Sequence, residues 1–191
     1  MPCAVPRASA VDMQCLVDPQ DNEAVLRAGI AQLLPELRAA ARLLTSSRSE
    51  ADDLVQEAVL RMLRGLDGFI VQSDHDGNVL SALRPWGLAV LRNAFREGWR
   101  RSRRERDHLA AQIPAEEGRS GGQETAERMR DLTRAISSLP PALREALVLV
   151  GAQGMSHEEA ATICGVPVGT MKARVSRARK QLEQTLGGVM S

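Results

Sequence analysis

The sequence predicts an all-α protein built as two small helical lobes joined by a flexible acidic linker. Ala and Leu outnumber Val and Ile, and aromatics make up 2% with no Tyr, a balance that favours helix over sheet. Apolar residues recur at three- and four-residue steps through most of the chain. The stretch Ile113 to Gln123 breaks that pattern with Pro, Glu, Ser and three glycines, and it is the best domain boundary in the sequence. The expected organisation is an extension over 1–20, a first lobe over 21–108, a linker over 109–128 and a second lobe over 129–187. With 191 residues and 43% hydrophobic content, a packed core can form. No apolar run approaches the roughly 18 residues that span a bilayer, so no membrane insertion is expected. The first twenty residues lack a signal-peptide core. Cys3, Cys15 and Cys164 are an odd, irregularly spaced set, so no disulfide framework is expected. The expected location is the cytoplasm.

Each element has its own signal. Asp18-Pro19 is a helix start, with Asp as the cap and Pro at the first helical position. Leu26, Ile30, Leu33, Leu37, Ala41 and Leu44 then form an amphipathic stripe, which Pro35 should kink or divide. After a polar break over Thr45 to Ser49, Ser49 with Asp52 can cap a second helix, with Val55, Val59, Met62 and Leu66 on its apolar side. Gly65 and Gly68 bracket its end. Phe69 to Ser81 is expected as a loop. A third helix over about Ala82 to Arg104 places Leu88, Leu91, Phe95 and Trp99 on one side. Beyond the linker, Leu132, Ile136 and Leu139 mark a short helix ending at Pro140-Pro141. Leu143, Leu147 and Val150 mark the next.

Net charge is +1, but its distribution is uneven. Eight arginines lie between Arg84 and Arg106 against Glu97 and Glu105. Five bases and no acid lie between Met171 and Lys180, and the segment between the two patches is acidic. Either patch alone could be a solvated helix face; together they suggest two contacts with one polyanion.

The C-terminal pattern is the most specific. Ser156-His157-Glu158-Glu159 has the form of a capping box. A short helix follows with Ala160, Ile163 and Cys164 apolar, and Ala161 is small enough for a close helix crossing. Gly165 ends it where a tight turn needs positive φ. Val166-Pro167 starts a longer helix that runs to Leu182. This is a helix-turn-helix whose second helix would enter the major groove. Lys172, Ser176 and Lys180 share one face, Arg174 and Arg177 flank it, and Val175 and Ala178 point back into the lobe.

Leu139-Pro140-Pro141-Ala142-Leu143-Arg144-Glu145-Ala146, the Ser156 to Ala161 box and Val168 to Arg179 closely resemble region 4 of extracytoplasmic-function (ECF) sigma factors. Ala51-Asp52-Asp53-Leu54-Val55-Gln56-Glu57 resembles their region 2.2. Trp86, Leu91-Arg92-Asn93-Ala94-Phe95-Arg96 and the arginine run resemble regions 2.3 and 2.4. Leu91-Arg92-Asn93, the arginine run and Ile163-Cys164-Gly165 look most like the general-stress-response subgroup. The resemblance implies a sigma factor that directs core RNA polymerase to promoters. Asp53, Gln56 and Glu57 would dock on core polymerase (its beta and beta-prime subunits). Trp86, Arg92, Asn93, Arg96, Arg100 and Arg101 would meet minus-ten DNA. Thr170, Lys172, Ala173, Arg174, Ser176, Arg177 and Arg179 would read minus-thirty-five DNA. It also implies an anti-sigma protein as regulator. The Phe69 to Leu83 connection is longer than the family's usual one.

Other signals lead nowhere. Asp74-His75-Asp76-Gly77-Asn78 resembles a calcium loop, but Val79 and Pro85 stand where an EF-hand needs Gly and Glu. His157 and Cys164 lack partner ligands, so no metal is expected. No nucleophile, base and orienter set exists, so neither an enzyme nor a cofactor is expected. A stand-alone helix-turn-helix regulator is one alternative, and it should lack the Asp-Asp-Leu-Val-Gln-Glu helix. A sigma-like decoy that binds an anti-sigma protein is another, and it should have lost the basic helix.

Overall fold

The computed structural model describes residues 19–66, 69, 79–109 and 124–187, and the described residues contain no strand. Helix α1 runs Pro19–Leu44. All six expected stripe residues are buried, from Leu26 to Leu44. Pro35 does not divide the helix. It lies on the exposed side, and burial of the stripe, roughly 1.5–3 kcal/mol per large side chain, outweighs one forfeited helical hydrogen bond.

Helix α2 spans Arg48–Arg64 and is capped by Ser47, two residues before the serine expected to cap it. Glu50 explains the choice. Its carboxylate accepts the backbone N–H groups of Ser46 (2.9 Å) and Ser47 (3.2 Å), while its own N–H donates to Ser47 Oγ at 3.1 Å. Ala51, Leu54, Val55, Ala58 and Met62 are buried, a wider face than the valine-led stripe, and Val59 is only half-buried.

Helix α3 spans Val79–Leu109. It starts inside the segment expected as loop and continues past Arg104. The calcium-like 74–78 segment lies outside the described residues. Leu83, Leu88, Leu91 and Phe95 are buried against α1 and α2. The α1–α3 approach is close: a Cβ on Gly29 would stand 2.5 Å from Leu83 Cδ1.

Helix α4 spans Glu124–Ser137, α5 Pro141–Leu147 with a π-helical turn over Val148–Ala152, α6 His157–Cys164 and α7 Val168–Gly187. Helix therefore occupies both ends of the segment expected as linker, at Leu109 and over 124–128, and 110–123 lies outside the described residues. In the second lobe the Ser156 capping box forms as expected, with Ser156 N donating to Glu159 Oε2 at 2.8 Å and Glu159 N to Ser156 Oγ at 3.1 Å. The Ser156 N–H holds the Glu159 carboxyl below the usual carboxylate range. A depressed folded-state value means that the cap is intact at neutral pH and lost only on strong acidification. Gly165 ends α6 at φ 62°, and α7 begins at Val168, one residue after Pro167. Gly165→Ala should cost about 1–2 kcal/mol because only the left-handed backbone opposes the methyl. Gly169→Ala, in open space within α7, should be neutral or stabilising. Thermal melts of the two variants check the pair.

The lobes do not stand apart. Apolar residues of α1–α3 and of Ala146 to Val175 form one continuous core. On α5 the expected stripe of Leu143, Leu147 and Val150 is only half-buried, whereas Arg144, Glu145 and Ala146 are buried. The polar side of α5 faces the first lobe. Arg144 donates to Leu44 O at 2.5 Å, to Leu139 O at 3.1 Å and to Ser137 O, and its guanidinium lies 5.7 Å from the Phe95 ring centroid. Arg84 bonds Glu36 at 2.7 Å and the carbonyl of Gln153.

Candidate nucleic-acid interface

Helix α7 is two-sided. Met171, Val175 and Ala178 are buried in the lobe. Lys172, Ala173, Ser176, Arg177 and Arg179 are exposed, as is Lys180, while Thr170 and Arg174 are half-buried. The helix therefore offers solvent a basic surface with Ser176 and Ala173 among the charges, suited to phosphates and base edges in one groove. Arg174 is partly turned inward, and its Nη1 is buried with no hydrogen-bond partner.

The α3 residues divide. Asn93, Arg100 and Arg101 are exposed, Arg96 is half-buried, and Arg92 is buried. Arg92 Nε pairs with Glu145 Oε2 at 3.0 Å, its Nη1 donates to Asn93 Oδ1 at 3.0 Å, and its Nη2 to Cys164 O at 3.3 Å. Arg96 Nε stands 3.2 Å from the other Glu145 oxygen, an ion pair off the hydrogen-bonding direction. Trp86 is half-buried against Phe69, ring centroids 4.6 Å apart, so one face of its indole is occupied. Trp99 is half-buried with the Arg103 guanidinium 5.5 Å from its ring. Burial pushes the Cys164 thiol up, opposed by the nearby charges of Arg92, Arg174 and Arg96.

On α2, Asp53 and Gln56 are exposed and Glu57 is half-buried. Glu57 pairs with Arg61 at 2.7 Å, and Arg61 reaches across to Glu97 of α3, also at 2.7 Å. The bond from Arg61 holds the Glu97 carboxyl below the usual range. Gln56 also lines a groove of about 590 Å³ between α1 and α2, together with Leu34, Arg38, Arg42, Asp52 and Leu60. Of the three expected docking residues, Asp53 and Gln56 are thus open to solvent, while Glu57 is engaged by Arg61.

Sequence reasoning assigned no role to Glu145 or Arg144 and counted Arg84 only as part of the basic run. The available signal was a charged pair inside an apolar helix, Leu143-Arg144-Glu145-Ala146, where periodicity alone does not tell which side is covered. Among the described residues no group of three His, Cys, Asp or Glu could hold a metal ion, and no helix is long and apolar enough to cross a membrane.

A helical first lobe with an arginine-bearing helix, followed by a helix-turn-helix with a basic outer face, defines a two-lobed nucleic-acid-binding protein. Family models agree in order and position: Sigma-70 region 2 matches residues 30–105, and Sigma-70, region 4 matches 129–182. The ECF RNA polymerase sigma factor EcfG of Rhodopseudomonas palustris is 41% identical over 161 residues, 84% of each chain. The ECF RNA polymerase sigma-E factor of Escherichia coli is 32% identical over 146 residues, 70% of this chain and 72% of its own. Among solved structures, the sigma factor RpoE of Bartonella quintana, in complex with the anti-sigma factor NepR, is similar with TM-score 0.70 and 34% identity, over 84% of this chain and 96% of that one. The chain belongs to the family of ECF RNA polymerase sigma factors. That family acts in transcription initiation without catalysing a reaction of its own.

Proposed function

We propose that this sigma factor docks on core polymerase through Asp53, Gln56 and Glu57, opens and reads the minus-ten element with α3, and reads the minus-thirty-five element as duplex with α7. The observation that carries this reading is the exposed basic face of α7 in the region 4 match, set behind a region 2 match with its own exposed arginines. Affinity comes from phosphate contacts by Lys and Arg, and choice comes from base contacts. Regulation by an anti-sigma protein, action in the cytoplasm and membership of the general-stress-response subgroup complete the proposal. They are supported by the 41% identity to EcfG and by the likeness to a sigma factor held by NepR. Run-off transcription with purified core polymerase on a promoter library tests it: a defined promoter class should emerge, and no promoter-dependent product would overturn it.

Two variants test the readers. Lys172→Ala with Arg177→Ala should weaken minus-thirty-five binding and lower the log–log salt slope by about 1 for each phosphate that is no longer neutralised. Core affinity should not change, and wild-type promoter selection by the double variant would remove these residues as readers. Asn93 carries an exposed amide suited to the edge of a single flipped base. Asn93→Ala should change which minus-ten base is preferred, whereas Arg96→Ala should lower affinity for all sequences alike. Transcription from promoters varied one base at a time distinguishes them.

A further inference from the structure

The exposed face of α3 that carries the proposed base reader also carries an acid. Asn93, Glu97, Arg100 and Arg104 are all exposed and fall within about 60° of arc over roughly three turns. A carboxylate on such a face opposes the phosphates that its arginines attract. This one is nevertheless kept ionised and in place. Arg61 of α2 reaches Glu97 Oε2 at 2.7 Å, and that bond holds the carboxyl below its usual range. Glu57, one turn before Arg61 on α2, holds the same guanidinium at 2.7 Å. Exposed ion pairs of this kind add little to stability, so tying α2 to α3 is a weak reason for an acid at position 97. We propose that Glu97 determines specificity in minus-ten recognition, its carboxylate accepting a hydrogen bond from the exocyclic amino group of a base, and that Arg61 positions it. The proposal rests on the reading of α3 as the minus-ten contact.

The chemistry narrows the ligand. A carboxylate only accepts hydrogen bonds, and within a DNA strand the phosphates and sugars only accept them too, so its donor must come from a base. Adenine, cytosine and guanine each carry an amino group. Thymine has none, and the ring N–H of an unpaired thymine lies between two carbonyl oxygens that repel a carboxylate. A reading Glu97 therefore rejects thymine. The bond from Arg61 uses one of about four acceptor sites on the carboxylate, which leaves room for an amino group. Arg61 also removes most of the rotamer freedom that Glu97 would otherwise lose on meeting the base. Its charge, with that of nearby Arg100, offsets the repulsion between Glu97 and the flanking phosphates.

The experiment uses the full chain with core polymerase, on promoters varied one base at a time across the minus-ten element. Wild type should disfavour thymine at one position by about tenfold against the amino-bearing bases. Glu97→Gln keeps the shape but adds a donor that suits a thymine carbonyl, so thymine should be accepted there to within about twofold of the other bases. Glu97→Ala, which removes both charge and acceptor, should lose the same discrimination at the same position. Arg61→Ala leaves the carboxylate in place but unsteered, and should reduce the discrimination at that position and at no other. Circular dichroism checks helix content, which an exposed site should preserve in at least one of the two Glu97 variants. A gain or loss that is equal for all four bases would show that Glu97 acts only as a charge, and overturns the proposal. Unchanged preference in the Glu97 variants overturns it as well. Asn93→Ala in the same assay separates the two failures. If it shifts a preference while the Glu97 variants do not, the reading of α3 stands and Glu97 falls; if none of them shifts a preference, both fall.

Discussion

Arg144→Ala is expected to lower the unfolding free energy by about 3 kcal/mol, from acceptors left unpaired at about 1–3 kcal/mol each. The guanidinium is buried, and its hydrogen bonds end on the carbonyls of Leu44, Ser137 and Leu139. Leu44 closes α1 and Ser137 closes α4, so one positive charge serves carbonyl-rich ends of two helices. Truncation leaves these acceptors unpaired and removes the cation from the Phe95 ring. Burial already pulls the Arg144 pKa down from its ordinary value, a sign that the site gives the charge less solvation than water does. Arg144→Lys should recover only part of the loss, since a single ammonium does not span the same spread of carbonyls. For a chain of this size the alanine variant should melt roughly 6–12 °C below wild type. A shift of less than about 2 °C would mean that water replaces the guanidinium at little cost.

The second large effect concerns docking. Asp53→Arg combined with Glu57→Arg should raise the dissociation constant for core polymerase at least about a hundredfold, since like charges brought together across an interface cost several kcal/mol. The fold should survive. Asp53 is exposed, and the Glu57 to Arg61 pair is a half-exposed contact one turn apart, of a kind worth about 0.3–0.5 kcal/mol. Arg61 keeps Glu97 as a partner. Co-elution with core polymerase on gel filtration is the measurement, with circular dichroism confirming helix content. Undiminished co-elution at physiological salt would move the docking surface elsewhere, with the neighbouring α1–α2 groove around Gln56 and Leu60 the next place to look.

What was legible in the sequence was local. The Ser156 and Glu159 box, the Gly165 turn and the α1 stripe depend on residues within a turn or two of each other, so spacing alone specifies them. The α2 cap was misplaced because both Ser47 and Ser49 have an acid three residues on. Side-chain reach decided between them: the Glu50 carboxylate collects two backbone N–H groups. The π-turn after Leu147 and the inward-facing charges of α5 left no periodic trace. The burial of Arg92 and Glu145 depends on how two lobes meet, a relation between residues 53 apart that no window of helical period contains. For that reason the arginine run looked uniformly available for DNA, while the structure separates the engaged Arg92 and Arg96 from the exposed Arg100 and Arg101.

That same separation acquires a meaning when the chain is made rather than when it is finished. Synthesis proceeds at about 5–20 residues per second, and N-terminal units generally fold first. Helices α1 to α3 follow one another in the chain and can close as soon as they emerge, but Glu145 is added 53 residues after Arg92. At those rates the nascent first lobe presents its arginines for roughly 3–10 s before their carboxylate partner exists. The contact from Arg144 to Leu44, 100 residues apart, waits on the same helix, since Arg144 precedes Glu145 by one residue. Each newborn molecule therefore passes through a brief interval in which its first lobe is complete and its second is not, and the closed arrangement is the end of its biogenesis rather than the beginning.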